Sequence, residues 1–167
     1  MKILITGGAG CLGASLVDRW LAAGHELLVI DNLATGYAES LPDAVRFVQG
    51  SVTDDGLIQA EFSKFAPDCV VHSAAAYKDP NDWLEDANTN VLGTINVVNA
   101  AREAQVKRFI NFQTALCYGR PKSVPIPVDA PVAPFTSYGI SKTAGEQYVL
   151  MSGLPAVSLR LANITGP

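Results

Sequence analysis

Clustered positive charge is missing from this sequence. The 167 residues carry 12 Lys and Arg against 16 Asp and Glu, a formal charge of −4, with a pI near 5.0 and no basic run. Non-specific nucleic-acid binding needs that electrostatic footprint, so nucleic acid is not an expected partner. Long apolar runs are missing as well. No stretch approaches the ~18 residues of a membrane span, and Ile3-Leu4-Ile5 is interrupted by Thr6-Gly7-Gly8 before it becomes a signal-peptide core. No membrane partner is expected, and the expected location is the cytoplasm. Cysteine is sparse and odd in number: Cys11, Cys69 and Cys117 show neither C-x-x-C nor zinc spacing. They read as reduced thiols, with no metal site. Repeats and low-complexity tracts are absent. With 49% hydrophobic residues, the chain suits one compact domain.

Short apolar runs rich in β-branched residues recur along the chain, the signature of strands buried on both faces. They are Lys2-Thr6, Leu27-Ile30, Val45-Val48, Cys69-His72, Arg108-Phe112 and Ala156-Arg160. Each is followed by a helical or loop crossover, which predicts a doubly wound parallel α/β sheet. Cys11-Ala23 places Leu12, Leu16, Trp20 and Ala23 at helical spacing and ends at Gly24, a plausible C-terminal stop. Thr53, followed by Asp54, Asp55 and then Leu57, Ile58, Phe62 and Phe65, reads as a capped amphipathic helix. The longest helix candidate runs from Pro80 to about Glu103. Its acids Asp82, Glu85 and Asp86 read as a solvated helix start where the macrodipole favours them. Gly119 to Ser137 holds Pro121, Pro125, Pro127, Pro131 and Pro134, half of the ten prolines. This segment must be extended or turn-rich, either functional or a solvated linker.

Thr6-Gly7-Gly8-Ala9-Gly10-Cys11-Leu12-Gly13 lies between the first strand and the first helix. Gly7, Gly10 and Gly13 give G-x-x-G-x-x-G, a variant of the dinucleotide fingerprint. Without Cβ atoms, such a turn lets backbone N–H groups and a helix N-terminus approach a pyrophosphate. Glycine turns also occur simply to pack a helix on a strand, but here the flanking elements and the N-terminal position agree. They place the sheet in the Rossmann class, with expected strand order 3-2-1-4-5-6. Asp31 ends the second strand, 18 residues after Gly13. A carboxylate there accepts hydrogen bonds from the adenosine ribose and repels a 2′-phosphate, favouring NAD over NADP. The alternative is an Asp that starts the Asn32-Leu33-Ala34-Thr35-Gly36 turn.

Tyr138 and Lys142 stand at i and i+4 in a stretch that reads as helix, so both project from one face. To act as a base at neutral pH the phenol must lose about three pKa units, or roughly 4 kcal/mol. An adjacent ammonium and a cationic nicotinamide ring supply charge of the right sign. Alone, Y-x-x-x-K is usually a surface pair; its value comes from standing behind a dinucleotide fold. Thr114 sits just past the fifth strand, where strand ends face the ligand crevice. Its hydroxyl either bonds a reacting hydroxyl beside Tyr138 or simply terminates the strand.

Gly7, Gly10, Gly13, Asp31, Thr114, Tyr138 and Lys142 together resemble the short-chain dehydrogenase/reductase superfamily over essentially the whole chain. Further segments resemble its extended branch, the sugar-nucleotide epimerases and dehydratases. Val71-His72-Ser73-Ala74-Ala75 is similar to that branch's H-x-A-A and Asn90-Val91-Leu92-Gly93-Thr94 to its N-V-x-G-T. Pro127 to Pro134 is similar to its proline-rich approach to the catalytic Tyr, and Leu159-Arg160-Leu161-Ala162-Asn163 to its L-R-x-x-N. His72 to Asp82 and Asn111 to Pro121 look most like epimerases of bacterial O-antigen, hence lipopolysaccharide, biosynthesis clusters.

The resemblance implies NAD-dependent epimerisation of a nucleotide sugar at C4 through a transient keto intermediate. Tyr138 would remove the hydroxyl proton, Lys142 would hold the Tyr pKa down and bind the nicotinamide ribose, and Thr114 would orient the hydroxyl. It assigns Asn163 to the nucleotide sugar, and Ala74, Ala75, Lys78 and Asn90 to the cofactor. Cys11, Leu12 and Asn32 would join the cofactor site near the glycine turn, with Ser51 and Val52 near the adenine. A homodimer would pair the long helix from Pro80 and the Tyr138 helix with their copies. A dehydrogenase or reductase using the same site, and a catalytically silent NAD-binding module, are the alternatives left open.

Departures from the family pattern narrow the chemistry. Dehydratases of this branch carry an Asp-Glu pair after the catalytic Thr; Ala115 and Leu116 stand there instead, which argues against dehydration. Cys11 replaces a larger apolar residue, Ser51 the usual Asp, and Thr165 the usual Tyr. Family members also continue past Gly166-Pro167 into a smaller domain that closes over the sugar nucleotide. The expectation for residues 1–167 is therefore one NAD-binding domain without that substrate domain. It should bind NAD but turn over poorly, since water is not excluded from its site.

Overall fold

A computed structural model of the chain describes residues 1–164; the Thr165 to Pro167 part of the last motif lies outside them. Six parallel strands are β1 (Lys2–Thr6), β2 (Glu26–Asp31), β3 (Arg46–Gln49), β4 (Cys69–His72), β5 (Arg108–Thr114) and β6 (Ala156–Leu161). Their order is β3-β2-β1-β4-β5-β6, the order predicted. In register, Ile5 sits between Val29 and Val71. Alternate residues of each central strand therefore feed two cores, which is why the strands read as continuous apolar runs. On one face Ile3, Ile5, Leu27, Val29 and Val71 pack under Val17 and Trp20 of α1 (Cys11–Ala22). On the other, Leu4, Leu28, Ile30, Val70 and Phe109 meet Ile58 and Phe62 of α2 (Asp55–Phe65). The same core takes in Val97 of α4 (Thr94–Glu103) and Val149 of α5 (Ser137–Met151). Among the described residues, no helix is long and apolar enough to cross a membrane.

Several boundaries differ from the sequence reading. The cap of α2 is Asp54, whose Oδ1 accepts the Leu57 amide at 3.0 Å; the Thr53 hydroxyl instead pairs with Ser51 at 2.8 Å. The long helix opens not at Pro80 but at α3 (Trp83–Ala87), because Asp82 captures the Glu85 amide at 3.0 Å and starts the winding there. It then widens into a π-helical stretch, Asn88–Gly93, before α4. Close packing accompanies the widening. A Cβ on Gly93 would lie 2.5 Å from Val52, and one on Gly145 of α5 2.5 Å from the Asn90 carbonyl. Asp86 also corrects the reading of a solvated acidic start: α3 packs on α5 and leaves Asp86 only 2% exposed. Of the proline-rich segment, most is exposed, and only its end, Phe135 to Ser137, reaches the cleft described below.

His72 ties β1, β4 and the long helix together from a fully buried position. Its Nδ1 lies 2.7 Å from the Thr6 hydroxyl and its Nε2 2.9 Å from that of Thr94. The Thr94 proton is committed to the Asn90 carbonyl at 2.8 Å, so Nε2 must donate and Nδ1 must accept, which describes a neutral ring. Burial first, and the Lys142 charge second, lower its pKa to about 3. The unfolded chain takes up this proton near pH 6.5 and the folded chain does not. The contribution is thus complete above pH 6.5 and is lost as pH falls toward 3. Urea unfolding should show about 2 kcal/mol lost to this group between pH 6.5 and 5. The pH dependence should flatten in His72→Gln, and an identical slope in the two proteins would refute the assignment.

Candidate active site in the cleft

The C-terminal strand ends open into a single cleft of about 1780 Å³, ample for a dinucleotide. Its floor is the β1–α1 turn, pinned by the Gly7 amide donating to the Ile30 carbonyl at 2.8 Å. Gly7 has φ +71°, and a Cβ on it would lie 2.6 Å from the Ala74 amide nitrogen; one on Gly13 would lie 2.5 Å from the Gly7 carbonyl oxygen. These two glycines are required by the fold. Gly10 differs: a Cβ there meets only the Gly7 oxygen, at 3.5 Å, and otherwise enters the cleft. As the N-cap of α1 it provides no side-chain acceptor, and the first turn holds no acid. The helix N-terminus therefore faces open space with unpaired amides, a cradle that fits an anionic diphosphate.

Cys11, Leu12 and Asn32 line the cleft beside this turn, Ser51 and Val52 line its flank, and Ala74, Ala75 and Lys78 line it beyond β4. Asp31 also lines it, and it does start the turn after β2. Oδ1 accepts the Leu33 amide at 2.8 Å, as a turn-starting Asp does, while Oδ2 accepts the Ala9 amide of the glycine turn at 3.0 Å. Each oxygen retains acceptor capacity for a ribose hydroxyl. Asn90 is the exception. It is fully buried off the cleft wall, and its amide is consumed by Ala76 N at 2.9 Å, Ala76 O at 2.9 Å and the Ser141 hydroxyl at 3.0 Å. With these bonds it clamps the loop after β4 to α5.

Thr114, Tyr138 and Lys142 all line the cleft. Thr114 ends β5, and its hydroxyl accepts the Leu116 amide at 3.2 Å, leaving its proton to donate. Thr136 caps α5 by accepting the Gly139 amide at 3.0 Å, which places Tyr138 in the first turn and Lys142 one turn later. Burial lowers the Lys142 pKa to about 8, with Glu146 opposing the shift. The phenol of Tyr138 is pushed up rather than down, by burial first, then by Tyr77 and Asp86. The lowering that a base requires is not provided by the protein framework in this state; a cation in the cleft has the sign needed to reverse it. Asn163 stands exposed at the rim beyond β6.

A buried network not anticipated from the sequence fixes these groups. Gln113 donates to the Lys142 carbonyl at 3.1 Å and accepts the Thr114 amide at 2.8 Å, joining β5 to α5. Glu146, 1% exposed, receives Arg160 Nη2 at 3.0 Å and the Ser158 hydroxyl at 2.7 Å, and Arg160 Nη1 reaches the Tyr118 hydroxyl at 3.1 Å. Arg160 was visible only as a motif letter, because the partners that satisfy it are 14 and 42 positions away.

Residues 3–167 match the NAD dependent epimerase/dehydratase family. The structure superposes on that of the Bordetella bronchiseptica enzyme WbmG, solved with NAD and with NAD and UDP, at a TM-score of 0.97. Identity is 66%, covering 100% of this chain and 55% of that one. WbmH of the same organism, solved with NAD+, is 46% identical with a TM-score of 0.96, covering 99% and 57%. A UDP-glucose 4-epimerase of Lacticaseibacillus casei is 35% identical over 176 residues, covering 99% of this chain and 52% of the relative. The chain thus spans about half the length of the curated relatives it matches.

Proposed function

We infer, because this chain belongs to the NAD-dependent epimerase/dehydratase family, that it is the NAD-binding part of a nucleotide-sugar epimerase acting at C4. The observation that carries this reading is the meeting, on one cleft, of an empty-walled glycine cradle with Thr114, Tyr138 and Lys142. NAD fits the residues present: the α1 amides at Gly10 to Gly13 would hold its diphosphate, and Asp31 its adenosine ribose. When bound, it supplies the acceptor and donor of hydride for transient oxidation of the sugar to a ketone. Tyr138 takes the proton from the sugar hydroxyl and returns it, Thr114 orients that hydroxyl by donating a hydrogen bond, and Lys142 contributes positive charge beside both. Cys11, Leu12, Asn32, Ser51, Val52, Ala74, Ala75 and Lys78 complete the cofactor walls, and Asn163 serves the nucleotide sugar. UDP is the favoured nucleotide, supported by the UDP complex of WbmG and the UDP-glucose 4-epimerase relatives. A homodimer would pair the outer faces of the long helix and α5, where Leu92, Tyr148, Leu150 and Met151 are exposed.

Native mass spectrometry of the purified chain, followed by denaturation and a scan for released nicotinamide cofactor, tests the reading. About one NAD per chain is the expected result; interconversion of UDP-glucose and UDP-galactose by these residues should be slow, with the site open to water, and should leave no net NADH. Stoichiometric NADH accumulation would favour a dehydrogenase instead, and a chain that ignores added NAD would overturn the reading.

A further inference from the structure

One charged group on the cleft wall has no role in the chemistry above. Asp86 lies on α3, one turn before Asn90, and is 2% exposed. Its Oδ2 is sealed from water without a hydrogen-bond partner, the one such side-chain atom among the described residues. The neighbouring polar groups are occupied: Asp82 caps α3, Glu85 accepts the Thr89 hydroxyl at 2.7 Å, and Asn90 is clamped to Ala76 and Ser141. Among the described residues the other buried side-chain polar atoms are satisfied, and the one carboxylate oxygen left without a partner sits within the wall of a ligand cleft, an unfavourable arrangement kept where function is concentrated. A π-helical stretch begins two residues later, a second irregularity of the kind found at functional sites.

Asp86 shares the cleft wall with Tyr138, brought there by the packing of α3 on α5. The ring of Tyr77, from the loop after β4, stands edge-on to that of Tyr138 with centroids 6.3 Å apart. Tyr77 from the β4–α3 loop and Asp86 from α3 are the titratable groups whose charge raises the phenol pKa; Lys142 lies one turn along α5, and Lys78, Asp79, Asp82 and Glu85 line the same cleft. We propose that Asp86 is a positioning residue for Tyr138: from the cleft wall that the two share, its negative field opposes ionisation of the phenol and favours entry of a cation, the oxidised nicotinamide ring. This rests on the NAD-dependent reading above. Without a cation in the cleft, the negative field of Asp86 and burial both add to the ordinary preference for the neutral phenol. Once positive charge is present, the same carboxylate gains a counter-charge.

The test is a titration of the Tyr138 Cζ resonance in tyrosine-labelled chain, assigned by its loss in Tyr138→Phe. It is run without cofactor and with saturating NAD on wild type, Asp86→Asn and Asp86→Ser. Without cofactor, the wild-type midpoint should lie above the ordinary tyrosine value of about 10, and both neutral variants should titrate lower by about one pH unit, tenfold in proton dissociation. NAD should lower the midpoint in wild type. A midpoint unmoved in whichever neutral variant is folded overturns the proposal, and a purely structural Asp86 predicts that outcome. Because no turnover is read, an unmoved midpoint removes the role of Asp86 and leaves the epimerase reading standing. Failure to bind NAD removes the cofactor-dependent part of the proposal together with the reading on which it rests.

Discussion

Gly10→Val should abolish NAD binding, weakening it by at least about a hundredfold, roughly 2.7 kcal/mol, while the protein remains folded. Gly13→Val should instead destroy the fold. The two glycines look equivalent in the fingerprint, but the space around them is opposite. Gly10 has φ −77° and ψ 168°, extended backbone open to any residue, and its missing Cβ faces only the Gly7 oxygen at 3.5 Å. A valine there fills the cradle and takes the room of the diphosphate without disturbing the core. At Gly13 the Cβ would stand 2.5 Å from the Gly7 oxygen and 2.6 Å from the Gly8 Cα. Both are main-chain atoms of the turn that anchors α1 to β1, and they cannot yield without moving the helix. Overpacking of that kind costs on the order of 3 kcal/mol or more, a large part of a domain's stability. Thermal melts with and without NAD, together with calorimetric titration, read both effects. A Gly10→Val protein that binds NAD normally would refute the cradle.

Tyr138→Phe is the second large effect. The variant retains the ring, its packing and the cap of α5, and loses only the hydroxyl, so NAD affinity should stay within about threefold and the melting temperature should barely move. The epimerisation rate should fall by about 10²- to 10⁴-fold, the usual contribution of a positioned acid–base group. The readout is the ratio of wild-type to variant rates at saturating substrate; a ratio near one sinks the assignment of Tyr138 as base. The pH profile carries a second signature. Lys142 is charged below about 8 and neutral above it, so its support for phenolate fades as pH rises through that value. Activity should therefore fall on the alkaline side even as the phenol becomes easier to ionise. Lys142→Met should lower the rate throughout and remove that limb.

The identity of neighbouring elements was largely legible from residue order. Strands buried on both faces must be apolar at successive positions, so Ile3-Leu4-Ile5 and Cys69-Val70-Val71 identify themselves locally. The fingerprint is local for the same reason, since a turn that admits a diphosphate must lack Cβ atoms within a few residues. Tyr138 and Lys142 are likewise one helical turn apart. The parallel sheet followed from the alternation of strands and crossovers, and its order β3-β2-β1-β4-β5-β6 from the fingerprint that places it in the Rossmann class.

Contacts between distant segments, by contrast, were decided by the tertiary structure. Asn90 matched a family motif, yet its side-chain amide is spent on Ala76 and Ser141, partners 14 and 51 positions away that only the packing of the long helix on α5 brings together. Asp86 reads in sequence as one acid among three at a helix start, and only the docking of α3 on α5 buries it beside Tyr138. The Gln113 bridge between Thr114 and Lys142, and the Glu146–Arg160 pair, join strand ends to α5 across 14 to 33 positions. The upward shift of Tyr138 belongs with them: the spacing to Lys142 suggested a lowered pKa, but protonation responds to every charge and every ångström of burial around the group. Residue type and spacing determine which chemistry is possible here; the field and solvent access that set when Tyr138 releases its proton exist only once the chain has folded.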